Sequence, residues 1–78
     1  MALRKQWRDL DRSTVGRAPE RYGVYELGDG EGTVVGVGWG VLRDELKEAL
    51  AYGDGEQVRW EVAEHRDHAR ELAERHRE

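Results

Sequence analysis

Gly28-Asp29-Gly30-Glu31-Gly32 is the feature that most narrows what this chain can become. Its glycines permit the positive φ of a tight reversal, and both flanks are rich in β-branched and aromatic residues. Tyr22-Gly23-Val24-Tyr25-Glu26-Leu27 precedes it and Thr33-Val34-Val35-Gly36-Val37 follows, so the segment predicts a β-hairpin. Beyond the hairpin the period changes. Leu42, Leu46, Ala49 and Leu50 recur at helical spacing, with Arg43, Asp44, Lys47 and Glu48 on the opposite face. Gly53 and Gly55 then stop this helix, which spans about residues 41–51. Val58-Arg59-Trp60-Glu61-Val62 alternates strictly, which predicts an antiparallel strand with Val58, Trp60 and Val62 inward and one wet face. Residues 65–77 read as a second helix, with Ala69, Leu72, Ala73 and His76 as its inner stripe and His65 one turn earlier on the same line.

The lead-in, residues 1–21, is a charged N-terminal arm. Leu3, Trp7 and Leu10 are spaced for one or two helical turns that pack Trp7 against the body. Asp11-Arg12-Ser13-Thr14 then interrupts the pattern, and Pro19 disfavours helix at Ala18. The expected class is α+β: a single β-β-α-β-α domain over residues 22–78, with a three-stranded antiparallel sheet packed by helices.

At 78 residues, such a domain buries only about 60% of the surface its unfolded chain exposes, which leaves little room for an enclosed active site. It makes help from a second copy plausible. The absence of cysteine excludes disulfides, thiol nucleophiles and cysteine-ligated zinc. The chain is polar within three residues of Met1 and has no run approaching 18 apolar residues, so a cytoplasmic protein without a membrane segment is expected. The net charge of −4 conceals 38% charged residues, with Lys5 and Lys47 the only lysines. That composition accompanies GC-rich genomes and salt adaptation. Its balance argues against a dedicated nucleic-acid binder, which needs a clustered basic surface.

Gly36-Val37-Gly38-Trp39-Gly40 stands between a strand and a helix, where a phosphate loop would sit. Its spacing matches neither glycine fingerprint of nucleotide binders, and Trp39 would crowd a phosphate. The favoured reading is a strand that bends closely over its neighbours. His65 and His68 lie one helical turn apart, with His76 two turns after His68, but a metal site needs a third ligand at tetrahedral geometry. Glu64 and Glu71 are candidates only because glutamates are abundant, and surface histidines on a charged helix are the favoured reading. Ser13, the only serine, has no histidine near it in sequence. No cofactor or metal is expected.

Taken in order, Pro19-x-x-x-Gly23-Val24-Tyr25, the glycine-containing second strand and Leu42-Arg43-x-x-Leu46 resemble the GIY-YIG family of small nuclease domains over residues 19–77. Gly23-Val24-Tyr25 stands for the first triplet and Gly36-Val37-Gly38 for the second. The resemblance implies metal-assisted phosphodiester hydrolysis by two tyrosines, an arginine on the first helix and a metal-binding glutamate on a later one. Of that set Tyr25 survives. The second tyrosine position is Gly36, the arginine position is Glu45 and the glutamate position is Ala73. Arg43, Glu71 and Glu74 are displaced substitutes, and one residue turns a helical side chain by about 100°.

The function expected from these residues is a catalytically inactive interaction or binding module whose partner is itself, as a homodimer, or another protein. Trp39, in its glycine loop, is the exposed anchor, with Tyr22 and Tyr25 as further binding aromatics and Trp60 in the core. Tyr25 and Arg43 are the vestigial catalytic candidates. The alternatives are a divergent metal-dependent nuclease, and non-catalytic nucleic-acid binding through Arg4, Lys5, Arg8, Arg12, Arg17 and Arg21.

Overall fold

The hairpin forms where the glycines require it. A computed structural model describes Leu3 and residues 5–76, except for the His76 side chain. Arg4 and the expected helix end at Arg77 therefore lie outside the described residues. β1 is Arg8–Asp9, β2 is Tyr22–Gly28, β3 is Val34–Val41 and β4 is Gln57–Val62. β2 pairs antiparallel with β3 from Tyr22↔Val41 to Gly28↔Val34, with an irregularity at Leu27/Gly28 that leaves Val35 as the extra residue. Asp29 closes the turn: its carboxylate accepts the backbone N–H of Glu31 at 2.8 Å and of Thr33 at 2.9 Å.

The sheet has four strands, not three, in the order β1-β4-β2-β3. The added strand comes from the arm. Arg8 and Asp9 pair with Val58 and Gln57, and the Leu10 N–H donates to the Glu56 carbonyl at 3.0 Å. This corrects the helix expected for the arm. Leu3 and Leu10 are both buried but in separate cores, on opposite faces of the sheet. A helical stripe presents one face, whereas an extended chain passing the sheet edge reaches two.

Helix begins where the pattern was expected to break. α1 (Arg12–Arg17) is capped by Asp11, whose carboxylate accepts the Thr14 N–H at 2.8 Å and is held below the usual carboxylate range by that bond. It ends before Ala18, which is extended as the residue preceding Pro19 should be. Gly16, inside α1, costs about 0.5–1 kcal/mol relative to alanine.

β3 runs into α2 (Leu42–Tyr52) without a loop, so Val41 supplies no side-chain cap. The chain before β2 does so instead: Leu42 and Arg43 N–H groups donate to the carbonyls of Arg21 and Pro19 at 2.9 and 3.2 Å. Gly53, at φ 67°, terminates α2.

Helices cover both faces of the sheet. Leu46, Ala49, Val15 and Ala18 pack on Leu27 and Val58 beneath α1 and α2. Full burial of a leucine such as Leu46 contributes about 1.5–3 kcal/mol. On the other face α3 (Arg66–His76) lays Ala69 and Ala73 against the sheet, with Leu3, Val24 and Val37. The face of β4 expected to be wet is therefore partly covered, while Val62 on the inward line is 37% exposed. His65 precedes α3 and is exposed, so it does not extend the inner stripe. Among the described residues no helix is long and apolar enough to cross a membrane.

Candidate functional site

The glycine segment is strand, not loop. Gly36, Gly38 and Gly40 fall on alternate positions of β3, facing α2, and each is covered by a side chain of this chain. Leu27 lies over Gly36, the Tyr25 ring over Gly38 and the Glu45 side chain over Gly40. A Cβ at Gly38 would overlap the Tyr25 hydroxyl and one at Gly40 the Glu45 side chain, so these two positions are glycine because the space is already filled. At Gly36 a Cβ would meet Leu27 only at ordinary contact distance. The Tyr25 hydroxyl donates to Glu45 Oε1 at 3.2 Å. Burial, then the nearby Glu45 charge and this bond, push the Tyr25 phenol up to about 12. Tyr25 therefore stays a neutral donor with a carboxylate as its acceptor. A shallow cleft of about 330 Å³ remains beside it, bordered by Val35, Val37 and Asp54.

The other catalytic candidates do not join Tyr25. Arg43 lies two residues from Glu45, about 200° around the helix. It points to α1, donating to the Ala18 and Gly16 carbonyls at 3.0 and 3.3 Å and to Glu20. Ala73 is on the opposite face of the sheet, packed with Val24 and Leu3. The binding aromatics are divided in the same way. Trp39 is not an exposed anchor: it sits within β3, half-buried against Val24 and Leu72, with the Arg66 guanidinium 5.4 Å from its ring centre. Tyr22 begins β2 on that face and is 36% exposed, while Tyr25 faces α2. Trp60 is half-buried on the α2 side, with Arg8 stacked over it.

His65 and His68 form a helix cap. His65 Nδ1 accepts the His68 N–H at 3.2 Å, and His68 Nδ1 accepts the Glu64 N–H at 3.0 Å. Among the described residues no three His, Asp or Glu side chains converge as metal ligands.

The arginines of the lead-in are also split. Lys5, Arg8 and Arg17 border one groove of about 730 Å³ with Arg59 and Trp7, while Arg12 borders another with Arg43 and Lys47. Arg21 lines neither.

Two features were missed in sequence. Glu26, 2% exposed, accepts Arg59 Nε at 2.7 Å and the Leu3 N–H at 3.0 Å, and Arg59 stacks 4.1 Å from the centre of Trp7 and donates to the Lys5 carbonyl. This pair fastens the arm to the sheet. The signal was a lone acid in an apolar strand and an arginine in the alternating one. The second feature is the outer edge of β3. It is eight residues long, carries no charge and has no strand beyond it among the described residues.

No curated protein and no solved structure matches this chain. A family model does, across residues 1–78, and the chain belongs to that family, the domain of unknown function DUF7508.

Proposed function

We propose that the domain is a non-catalytic interaction module that works through the outer edge of β3, where a second copy of the chain adds its own β3. The carrying observation is that uncharged edge, Val34–Val41, with Val34 38% and Val35 55% exposed. Since β2 is its only strand partner among the described residues, alternate residues turn N–H and C=O outward. Long apolar edges of this kind are sites of strand addition unless they are blunted. Across a twofold axis the absence of charge avoids like-charge opposition. Antiparallel pairing centred on Gly38 sets Val37 of one copy opposite Trp39 of the other, an aromatic–aliphatic pair, and Gly36 opposite Gly40.

The Tyr25–Glu45 bond supports the non-catalytic half of the reading. If the chain descends from GIY-YIG-like nucleases, Glu45 occupies the arginine position, and a carboxylate there repels the phosphate that an arginine would stabilise. Light scattering over a concentration series tests the module: wild type should pass from monomer to dimer, and Val35→Lys should stay monomeric with its fold intact. A wild type that remains monomeric throughout overturns the proposal.

Nucleic-acid binding is a second reading with one observation in its favour, the convergence of Lys5, Arg8 and Arg17 on one groove that Asp9 and Asp11 also line and where Arg59 is paired with Glu26. It requires a gel shift that weakens steeply with salt, and an unshifted strand dismisses it.

A further inference from the structure

α1 and α2 leave a second cleft between them, on the side away from Tyr25. Arg43, Lys47 and Leu50 lie along one line of α2, and Arg12, Val15 and Gly16 along the facing line of α1; these six residues border a cleft of about 440 Å³. The lining pairs apolar groups, Val15 and Leu50, with three cations and contains no carboxylate. In a chain of net charge −4 this is a local reversal of sign. Arg43 is committed to Glu20 and to backbone carbonyls, which fixes the angle between the helices. Arg12 and Lys47 enter no ion pair among the described residues.

Gly16 supplies an independent observation. It lies within α1, where glycine is less favourable than alanine, and a Cβ built there meets nothing within 4 Å. Nothing in the fold requires glycine at this position. Its effect is to leave the floor of the cleft open between Arg12 and Arg43.

We infer that this cleft docks an acidic–hydrophobic peptide segment of a partner protein. One aliphatic side chain of the segment inserts over Gly16, between Val15 and Leu50, and flanking carboxylates meet Arg12 and Lys47. A small inorganic anion would leave the apolar floor unused. A phosphodiester strand would satisfy the cations but brings no aliphatic group to the floor. The inference is independent of pairing at β3, which lies on another element.

The test uses the full chain and fluorescence anisotropy with three labelled probes: a glutamate–leucine peptide, the same peptide with lysine for glutamate, and a single-stranded oligonucleotide. The glutamate–leucine peptide should bind and the lysine peptide should not. Affinity should fall about tenfold in Lys47→Glu, equivalent to the loss of one charge-assisted contact. Gly16→Leu should abolish binding by filling the floor, and Gly16→Ala should raise Tm by about 2–6 °C while weakening it. Because these substitutions favour helix, lost binding cannot be ascribed to unfolding. Equal binding of the lysine peptide, unchanged binding in Gly16→Leu, or binding of the oligonucleotide alone would each overturn the inference.

Discussion

The two edges of the sheet follow opposite rules. β1 is two residues long, both of them charged; Arg8 stacks 5.1 Å from the centre of the Trp60 ring, and the chain turns at once into α1. β3 is eight residues long, and from Gly32 to Leu42 no residue is charged in a chain that is 38% charged. Short, charged edges resist added strands and long apolar ones accept them. The contrast teaches that the openness of β3 does not reflect a shortage of blunting residues, since the chain uses them at the other edge.

The largest effect should come from the fastening of the β1 side. Arg59→Ala leaves Glu26 buried without its cation and releases the carbonyl of Lys5. Removing one member of such a pair costs about 3–5 kcal/mol, a large part of what a small domain possesses. Urea denaturation of the variant reads this directly. A cost below about 1 kcal/mol would mean that the arm is held by the β1–β4 pairing and the burial of Leu3 and Leu10 without the ion pair. Replacing Glu26 and Arg59 together by leucine should recover most of the loss, since no charge is then stranded.

On the β3 side the corresponding change is Gly38→Ala. The added Cβ must displace the Tyr25 ring, and overpacking of this kind costs about 1–3 kcal/mol. The same variant should break the Tyr25–Glu45 bond, so phenolate absorbance should lose its late-titrating component. If Tyr25 still titrates late, the strand has moved in place of the ring.

These residues also mark where the fold was legible in sequence. The hairpin, α2, β4 and most of α3 follow from local periods and turn residues, even though β2 and, in part, β4 are covered on both faces of the sheet. The arm did not, because Leu3 and Leu10 serve different cores and their helical spacing is incidental. Asp11 was readable as a cap but was overshadowed by that spacing. The glycine row was legible as a close approach, although what approaches it, Tyr25 and Glu45, depends on the register between β2 and β3. Trp39 was misplaced for the same reason: alternation within β3 turns it beneath α3. The free edge of β3 is a property of strand order, and strand order is a long-range outcome that no local pattern contains.

A smaller effect is expected at high pH. Tyr25 has its pKa raised to about 12 in the folded state, against about 10 when unfolded. The neutral phenol is thus favoured by folding, and this contribution is complete below about pH 10 and lost as pH rises toward 12. The two values set a ceiling of about 3 kcal/mol, which water's access to the half-buried ring lowers to about 1 kcal/mol. Denaturant titrations at pH 8 and above pH 10 should show the loss in wild type and its absence in Tyr25→Phe. An equal loss in both would assign it to other groups and detach Tyr25 from the cover over β3.

The smallest change in stability should accompany the sharpest test of the two edges. Arg8→Val with Asp9→Val gives β1 the apolar character of β3. The lost stacking of Arg8 on Trp60, about 0.5–1 kcal/mol, is offset by the higher strand preference of valine, so denaturation should shift by no more than about 0.5 kcal/mol. Association is where the variants should differ. If charge is what closes the β1 edge, the double variant should form species larger than the dimer, because each copy then carries two accepting edges. If it assembles no further than wild type, the two-residue length of β1 is sufficient to close that edge. The openness of β3 then rests on its eight-residue run, and shortening that run, for example by proline at Val37, becomes the more effective way to keep the chain monomeric.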